Sequence, residues 1–364
     1  MAKKIFVAAT QQNDGKTTVS LGLIAALKKK FDRIGFIKPI GQRYLMEQGY
    51  KVDEDSVLIE HIFGIKCNIK DMSPVAIERG FTERFIEKGA DEDYAKVIEE
   101  SFEKVAKDND LVIIEGTGHA GVGSVFGFSN ATVARLLDAN VIIISSGGVG
   151  KPIDEVMLNK ALFDKEKVNL AGVIVNKVLM EKYDRISRLV KKGMEQKGLN
   201  VCGVLPHQKI LDIPTIREIK EDLKIRAMYE GENLDQQAEK ILIGAMRVKD
   251  ALQYIENNSL MIIPGDRDDM IHATCDVHSG KLKKGVHISG VILSGGLLPR
   301  IRTLAMLKDA NIPVLVTDEE TYSIASRIHS MVVKIKPQDS HKINIIVDMV
   351  DKYVDINNIL EHIK

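Results

Sequence analysis

Ala8-Ala9-Thr10-Gln11-Gln12-Asn13-Asp14-Gly15-Lys16-Thr17-Thr18 is the stretch that decides how this sequence is read. Ile5-Phe6-Val7 precede it as a short apolar strand. In residues 19–29, which follow it, Leu21, Ile24, Ala25 and Leu27 recur at helical spacing. Strand, polar loop, Gly-Lys-Thr and helix is the layout of a phosphate-binding loop. Backbone N–H groups at a helix N-terminus cradle phosphates, the Lys reaches the β- and γ-oxygens, and the Thr hydroxyl ligates Mg²⁺. The Gly usually found five places before Gly15 is Thr10 in this chain. A polar strand–helix turn capped by Asp14 is the competing reading, and the position directly after an N-terminal strand weighs against it.

A length of 364 residues suggests two domains. A formal net charge of zero gives no polyanion-binding surface of the whole-protein kind, and the absence of Trp with only 5% aromatics argues against base-stacking platforms, so no nucleic-acid partner is expected. Cys67, Cys202 and Cys275 are widely spaced and form neither a CxxC pair nor a zinc pattern, which suits a reducing compartment. The N-terminal apolar run is too short for a signal peptide, and no run approaches the ~20 residues of a membrane span. A cytoplasmic protein without membrane contact is the expectation.

Up to about residue 205, short β-rich runs alternate with helical stretches. Residues 5–9, 34–38, 111–115, 141–145, 172–176 and 201–205 read as strands, most of them continuous Val/Ile runs of the kind that parallel strands covered on both faces require. The fold class expected is α/β, a mostly parallel sheet with helices on both faces and ligands at the strand C-termini. Lys38-Pro39 ends the second strand, where a Lys can hold an anionic or carbonyl group. In Asp53-Glu54-Asp55-Ser56 a carboxylate can help hold Mg²⁺, or the acids can simply open the helix at 57–63. Glu115, closing the apolar run 111–114 before Gly116-Thr117-Gly118-His119, stands where a phosphate-loop protein keeps its Mg²⁺ partner. His119 reads as a hydrogen-bonding loop residue. Asn176 ends a further strand, and its amide can exchange hydrogen bonds with a purine edge. Residues 208–230 read as a connector, 232–251 as an amphipathic helix, and 260–264, 288–293, 313–316 and 331–335 as strands of a second, smaller α/β block. Helices are expected at 347–354 and 356–363.

With these residues in view, positions 1–207 resemble the dethiobiotin synthetase-like family. The loop from Thr10 to Gly15-Lys16-Thr17, the strand ends Lys38-Pro39 and Glu115-Gly116, Asn176, and Gly203 with Pro206 follow its ordered motifs. Residues 231–337 resemble the DRTGG domain through Gly265-Asp266-Arg267-Asp268-Asp269, Leu293-Ser294-Gly295-Gly296-Leu297, Ile312-Pro313-Val314, Asp318 and Thr321-Tyr322. Residues 338–364 remain as a C-terminal tail. The two blocks together look like the N-terminal, non-catalytic half of long-form phosphotransacetylases, here as a free-standing version because the acetyl-transferring domain would need more chain.

The resemblance implies an ATP site at Thr10, Asn13, Asp14, Gly15, Lys16, Thr17 and Thr18, with Asn176 reading adenine. It implies Mg²⁺ on Thr17, Asp55 and Glu115. In dethiobiotin synthetase the Lys matching Lys38 contacts the reacting carbamate, but that enzyme's Thr-Asp-Thr is Thr10-Gln11-Gln12 here. Two functions follow. One is an ATP-binding regulatory protein, with the DRTGG domain dimerising or sensing a ligand and a phosphotransacetylase catalytic chain as partner. The alternative is an ATP-dependent ligase in which Lys16 and Lys38 stabilise charge as a carboxylate or carbamate is activated. A homodimer formed through the second domain is expected on the same grounds.

Overall fold

The computed structural model describes residues 2–90 and 92–363. The chain divides into two units, one made of residues up to Gln208 and from Ile335 onward, the other of Lys209–Lys334.

In the first unit the Val/Ile-rich runs form β1 (Lys3–Ala9), β2 (Ile34–Ile37), β3 (Leu111–Glu115), β4 (Asn140–Ser146), β5 (Leu170–Val178) and β6 (Val201–Pro206). They pair in the order β6-β5-β4-β1-β3-β2, and every pairing is parallel. Parallel neighbours need long crossovers, supplied chiefly by helices α1 (Lys16–Leu27), α2 (Glu54–Phe63), α3 (Tyr94–Ala106), α4 (Gly150–Lys165) and α5 (Tyr183–Glu195). β1 is the strand at which the order reverses: β2 and β3 lie to one side of it, β4 to β6 to the other. A loop leaving the C-terminal end of such a strand opens into the crevice where α/β sheets bind ligands. That loop is residues 10–15. Phe6, Val112, Ile114, Ile143 and Val173 build one face of the core, where α3, α4 and α5 contribute Phe102, Phe163 and Met194.

The second unit contains α6 (Ile216–Asp222), β7 (Arg226–Tyr229), β8 (Lys240–Ile243), β9 (Ser259–Pro264), α7 (Asp268–His278), β10 (Ile288–Ser294), α8 (Ile301–Asp309), β11 (Val314–Val316) and α9 (Thr321–His329). Its sheet runs β7-β11-β10-β9-β8, parallel except where β7 meets β11. One face buries Met261, Ile263, Val291 and Leu293 with Met270 and Ile271 of α7; the other buries Leu260, Ile262, Ile292 and Leu315 with Ile216, Ile219 and Ile324.

Several sequence expectations are corrected here. Residues 208–230 are more than a connector: Ile216 and Ile219 of α6 are fully buried in the second unit, and Thr215 and Glu218 form a reciprocal N-terminal cap. Residues 232–251 are not one helix. Lys240–Ile243 pair as an edge strand with β9, and only Val248–Ala251 are helical. Residues 331–335 form no strand. The tail is an integral layer of the first unit. Its α10 (Ser340–Tyr353) and α11 (Ile356–His362) bury Ile346, Val350 and Ile359. Val350 packs so closely on α1 that a Cβ at Gly22 would meet its side chain at 2.2 Å. Sandwiched this way, α1 is apolar and buried nearly all round.

Candidate functional site

The loop after β1 is held by its own side chains. Thr10 Oγ1 donates to Asp14 Oδ2 at 2.7 Å, and the Gln11 N–H donates to the same oxygen at 2.8 Å. Asp14 thereby closes the loop on itself. Burial pushes its carboxyl above the ordinary range, opposed by those two hydrogen bonds. Left-handed backbone falls at Asn13 (φ 66°) and Gly15 (φ 94°), not at Thr10, so a side chain is tolerated where the usual motif has its first Gly. Gly15 is required twice over, because a Cβ there would also lie 2.3 Å from Asn176 Nδ2. Asn13 is exposed at the loop tip, and Lys16, Thr17 and Thr18 form the first turn of α1, half-buried.

Lys16 makes no ion pair among the described residues. Burial lowers the pKa of its ammonium, with Glu115 pulling the other way. Thr17 Oγ1 donates to Glu115 Oε1 at 3.0 Å, joining helix α1 to strand β3. Glu115 is fully buried and, among the described residues, its Oε2 has no hydrogen-bond partner, an expensive arrangement for a carboxylate. Burial raises its pKa to about 7, the Asp55 charge adds to the shift, and Lys38 opposes it.

Lys38, at the end of β2, sits at the centre of three carboxylates. Its Nζ lies 3.0 Å from Asp53 Oδ1 and 3.6 Å from Glu115 Oε1, and pairs directly with Asp55. Burial disfavours the ammonium, but Asp55, Glu115 and Asp53 outweigh it and raise its pKa above that of an ordinary lysine. Asp53 also caps α2 by accepting from the Asp55 N–H at 3.0 Å; burial raises its carboxyl. Three carboxylates against one ammonium leave two negative charges in excess if all are ionised. A carboxylate oxygen, a hydroxyl and an excess of negative charge are hard-oxygen groups of the kind Mg²⁺ takes, but the Lys38 ammonium sits among them and no group of three or more His, Cys, Asp or Glu side chains among the described residues is placed to hold a metal ion. The structure therefore brings Thr17, Asp55 and Glu115 to one place, with Lys38 among them.

Asn176, near the end of β5, is buried against the floor of the loop. Its Nδ2 donates to the Asp14 carbonyl, and its Oδ1 accepts from the Lys177 N–H, both at 2.8 Å. His119 is an exposed loop residue whose Nδ1 accepts from the Gly121 N–H. Asn130 pins the turn after Glu115, taking the Thr117 N–H and donating to the carbonyls of Thr117 and His119.

Sequence reasoning missed Glu155 and Asn159 on α4. Glu155 takes Gln11 Nε2 at 2.7 Å and approaches Thr10 Oγ1 at 3.2 Å. Asn159 donates to the Glu155 carbonyl and accepts from the Ala120 N–H. The available signal was a Glu and an Asn four apart, on one face of the helix that follows a Gly-rich turn.

A parallel sheet whose reversal strand runs into a closed polar loop, a Gly-Lys-Thr helix start and a buried carboxylate on the adjacent strand define the first unit as a P-loop-type α/β domain. Residues 3–215 match the AAA domain family (AAA_26), and the chain belongs to that family; residues 218–331 match the DRTGG domain. Phosphate acetyltransferase of Pseudomonas putida is 27% identical over 96% of this chain and 50% of its own length. That of Nitratidesulfovibrio vulgaris is 25% identical over 98% of this chain and 51% of its own. The chain spans about half the length of the curated relatives it matches, as the likeness to one half of a phosphotransacetylase requires. Among solved structures, the Aquifex aeolicus MinC:MinD cell division protein complex matches 58% of this chain and 84% of its own (18% identity, TM-score 0.37). The CBS and DRTGG domains of the regulatory region of Clostridium perfringens pyrophosphatase match 42% and 74% (16% identity, TM-score 0.28). At these TM-scores neither likeness bears on function. No helix among the described residues is long and apolar enough to cross a membrane.

Proposed function

We propose that the first unit binds Mg·ATP and that the protein is a cytoplasmic, nucleotide-binding regulator resembling the non-catalytic half of phosphotransacetylase. The observation that carries this is the loop itself, with left-handed Asn13 and Gly15 leading into a helix N-terminus where Lys16 makes no ion pair among the described residues. Lys16 would meet the β- and γ-phosphates. Thr17, Glu115 and Asp55 would hold Mg²⁺, which neutralises phosphate charge when bound. The ligase alternative asks Lys38 to face a substrate carbamate, and its ammonium is committed to three carboxylates, so no observation favours that reading. A phosphotransacetylase catalytic chain is the partner this proposal implies.

Calorimetric titration with ATP and Mg²⁺ tests it. Lys16→Ala should cost roughly 2–4 kcal/mol of binding, the scale of truncating one partner of a charge-assisted pair, with an unchanged melt of the empty protein. Equal affinity in both proteins would refute the site. Substrate-dependent phosphate release from ATP in a screen of acids, diamines and CO₂ would restore the ligase. The second unit, small enough to gain from association, is proposed to make the protein a twofold dimer. Light scattering that finds the full chain monomeric at tens of micromolar would exclude this.

A further inference from the structure

We infer that Asn176 is a positioning residue for the phosphate loop: its amide braces the loop backbone at Asp14 and so governs how tightly any phosphate chain is held. The inference rests on the phosphate-binding reading above and gives Asn176 a role other than adenine recognition.

The geometry begins with the peptide between Asp14 and Gly15. Asn176 Nδ2 holds the carbonyl side of that peptide at 2.8 Å. In a planar trans peptide the C=O and the following N–H point in opposite directions. Fixing the Asp14 carbonyl toward Asn176 therefore aims the Gly15 N–H away from it. That N–H makes no hydrogen bond among the described residues, and Gly15 is the residue that leads into α1. A donor aimed outward at a helix N-terminus is what an anion needs.

The brace is itself fixed. Asn176 is 3% exposed, and its Oδ1 is oriented by the Lys177 N–H, at a residue with left-handed backbone (φ 58°). The fit leaves no slack, since Nδ2 lies 2.3 Å from where a Cβ on Gly15 would stand. A residue that reads a base edge presents its amide oxygen and nitrogen to the base together. Here both ends already hold backbone, one in the loop and one in its own strand end.

The test is titration of wild type, Asn176→Ala and the isosteric Asn176→Asp with tripolyphosphate, ATP and GTP in the presence of Mg²⁺. It is combined with hydrogen exchange of the loop, residues 10–18, in the ligand-free proteins. The expected result is a loss of about tenfold in Asn176→Ala, the scale of one hydrogen bond, equal for all three ligands. A larger loss is expected in Asn176→Asp, where the donor is replaced by a negative charge. Loop exchange should quicken in both variants while the strands of the first unit keep wild-type protection. A loss confined to ATP, with tripolyphosphate binding and loop exchange unchanged, would overturn the inference and make Asn176 a base reader. If wild type binds none of the three, the phosphate-binding reading fails separately, and loop exchange alone decides the brace: unchanged exchange refutes it, faster exchange upholds it. If Asn176→Ala does not fold, Asn176→Asp carries the same comparison.

Discussion

Replacing Lys38 by Met removes the ammonium and keeps most of the side chain's volume. In the native protein that ammonium is the shared counter-charge of Asp53, Asp55 and Glu115 at a place where every one of these side chains is at most 9% exposed. Breaking a buried ion pair from one side costs roughly 3–5 kcal/mol, because the abandoned charge stays buried. Three partners do not triple that figure, since crowded carboxylates take up protons instead of remaining ionised. The cost should therefore depend on pH: near 3–5 kcal/mol at pH 8 and markedly less at pH 5, where protonation is cheap. Mg²⁺ should rescue the variant more than wild type. A dication at a hundred times its Kd adds about 2.7 kcal/mol to the native state, and in the variant it has no internal cation to compete with. Urea unfolding of both proteins at the two pH values, with and without Mg²⁺, gives all the terms. A loss below about 1 kcal/mol that is the same at both pH values, with no Mg²⁺ rescue, would refute the view of Lys38 as the site's resident counter-ion.

Glu115→Gln should flatten the pH dependence of stability. The Glu115 carboxyl titrates near 7 in the folded chain against an ordinary value of 4.5. The native state thus binds more protons than the unfolded state between those values, and this group's stabilisation is lost as pH rises through that window. Urea midpoints of wild type falling no further than those of the variant between pH 4.5 and 8 would contradict it. A chain ending at Lys334 loses α10 and α11, hence the burial of Ile346, Met349, Val350, Val354, Ile359 and Ile363. At ~1.5–3 kcal/mol per side chain this is on the order of 10 kcal/mol, so the first unit should fail to show a cooperative melt; a native-like melt would refute the tail's role as a core layer.

The strands of the first unit were legible because buried parallel strands leave continuous Val/Ile runs, and the loop was legible because Gly-Lys-Thr follows such a run directly. Residues 232–251 were misread because Leu234, Ala238, Ile241, Leu242 and Ala245 recur at helical intervals. The backbone instead pairs with β9, a non-local contact that overrides local periodicity. Within the site, Lys38, Asp55 and Glu115 each stood out at a strand or helix end. That Lys38 lies between the acids, and that Asp53 is among them, depends on how β2, α2 and β3 converge, which no spacing encodes. Glu155 escaped notice because its partner Gln11 is far away in sequence.

The return of α10 and α11 to the first unit also orders events during synthesis. The second unit is one contiguous stretch, Lys209–Lys334, and is complete once that stretch has left the ribosome. The first unit emerges earlier but lacks the cover for α1 until residues 340–362 arrive. At ~5–20 residues per second the delay is on the order of ten seconds. Throughout it, the face of α1 that Val350 packs against is uncovered on the nascent chain, transient apolar surface of the kind that makes partly folded chains prone to aggregate.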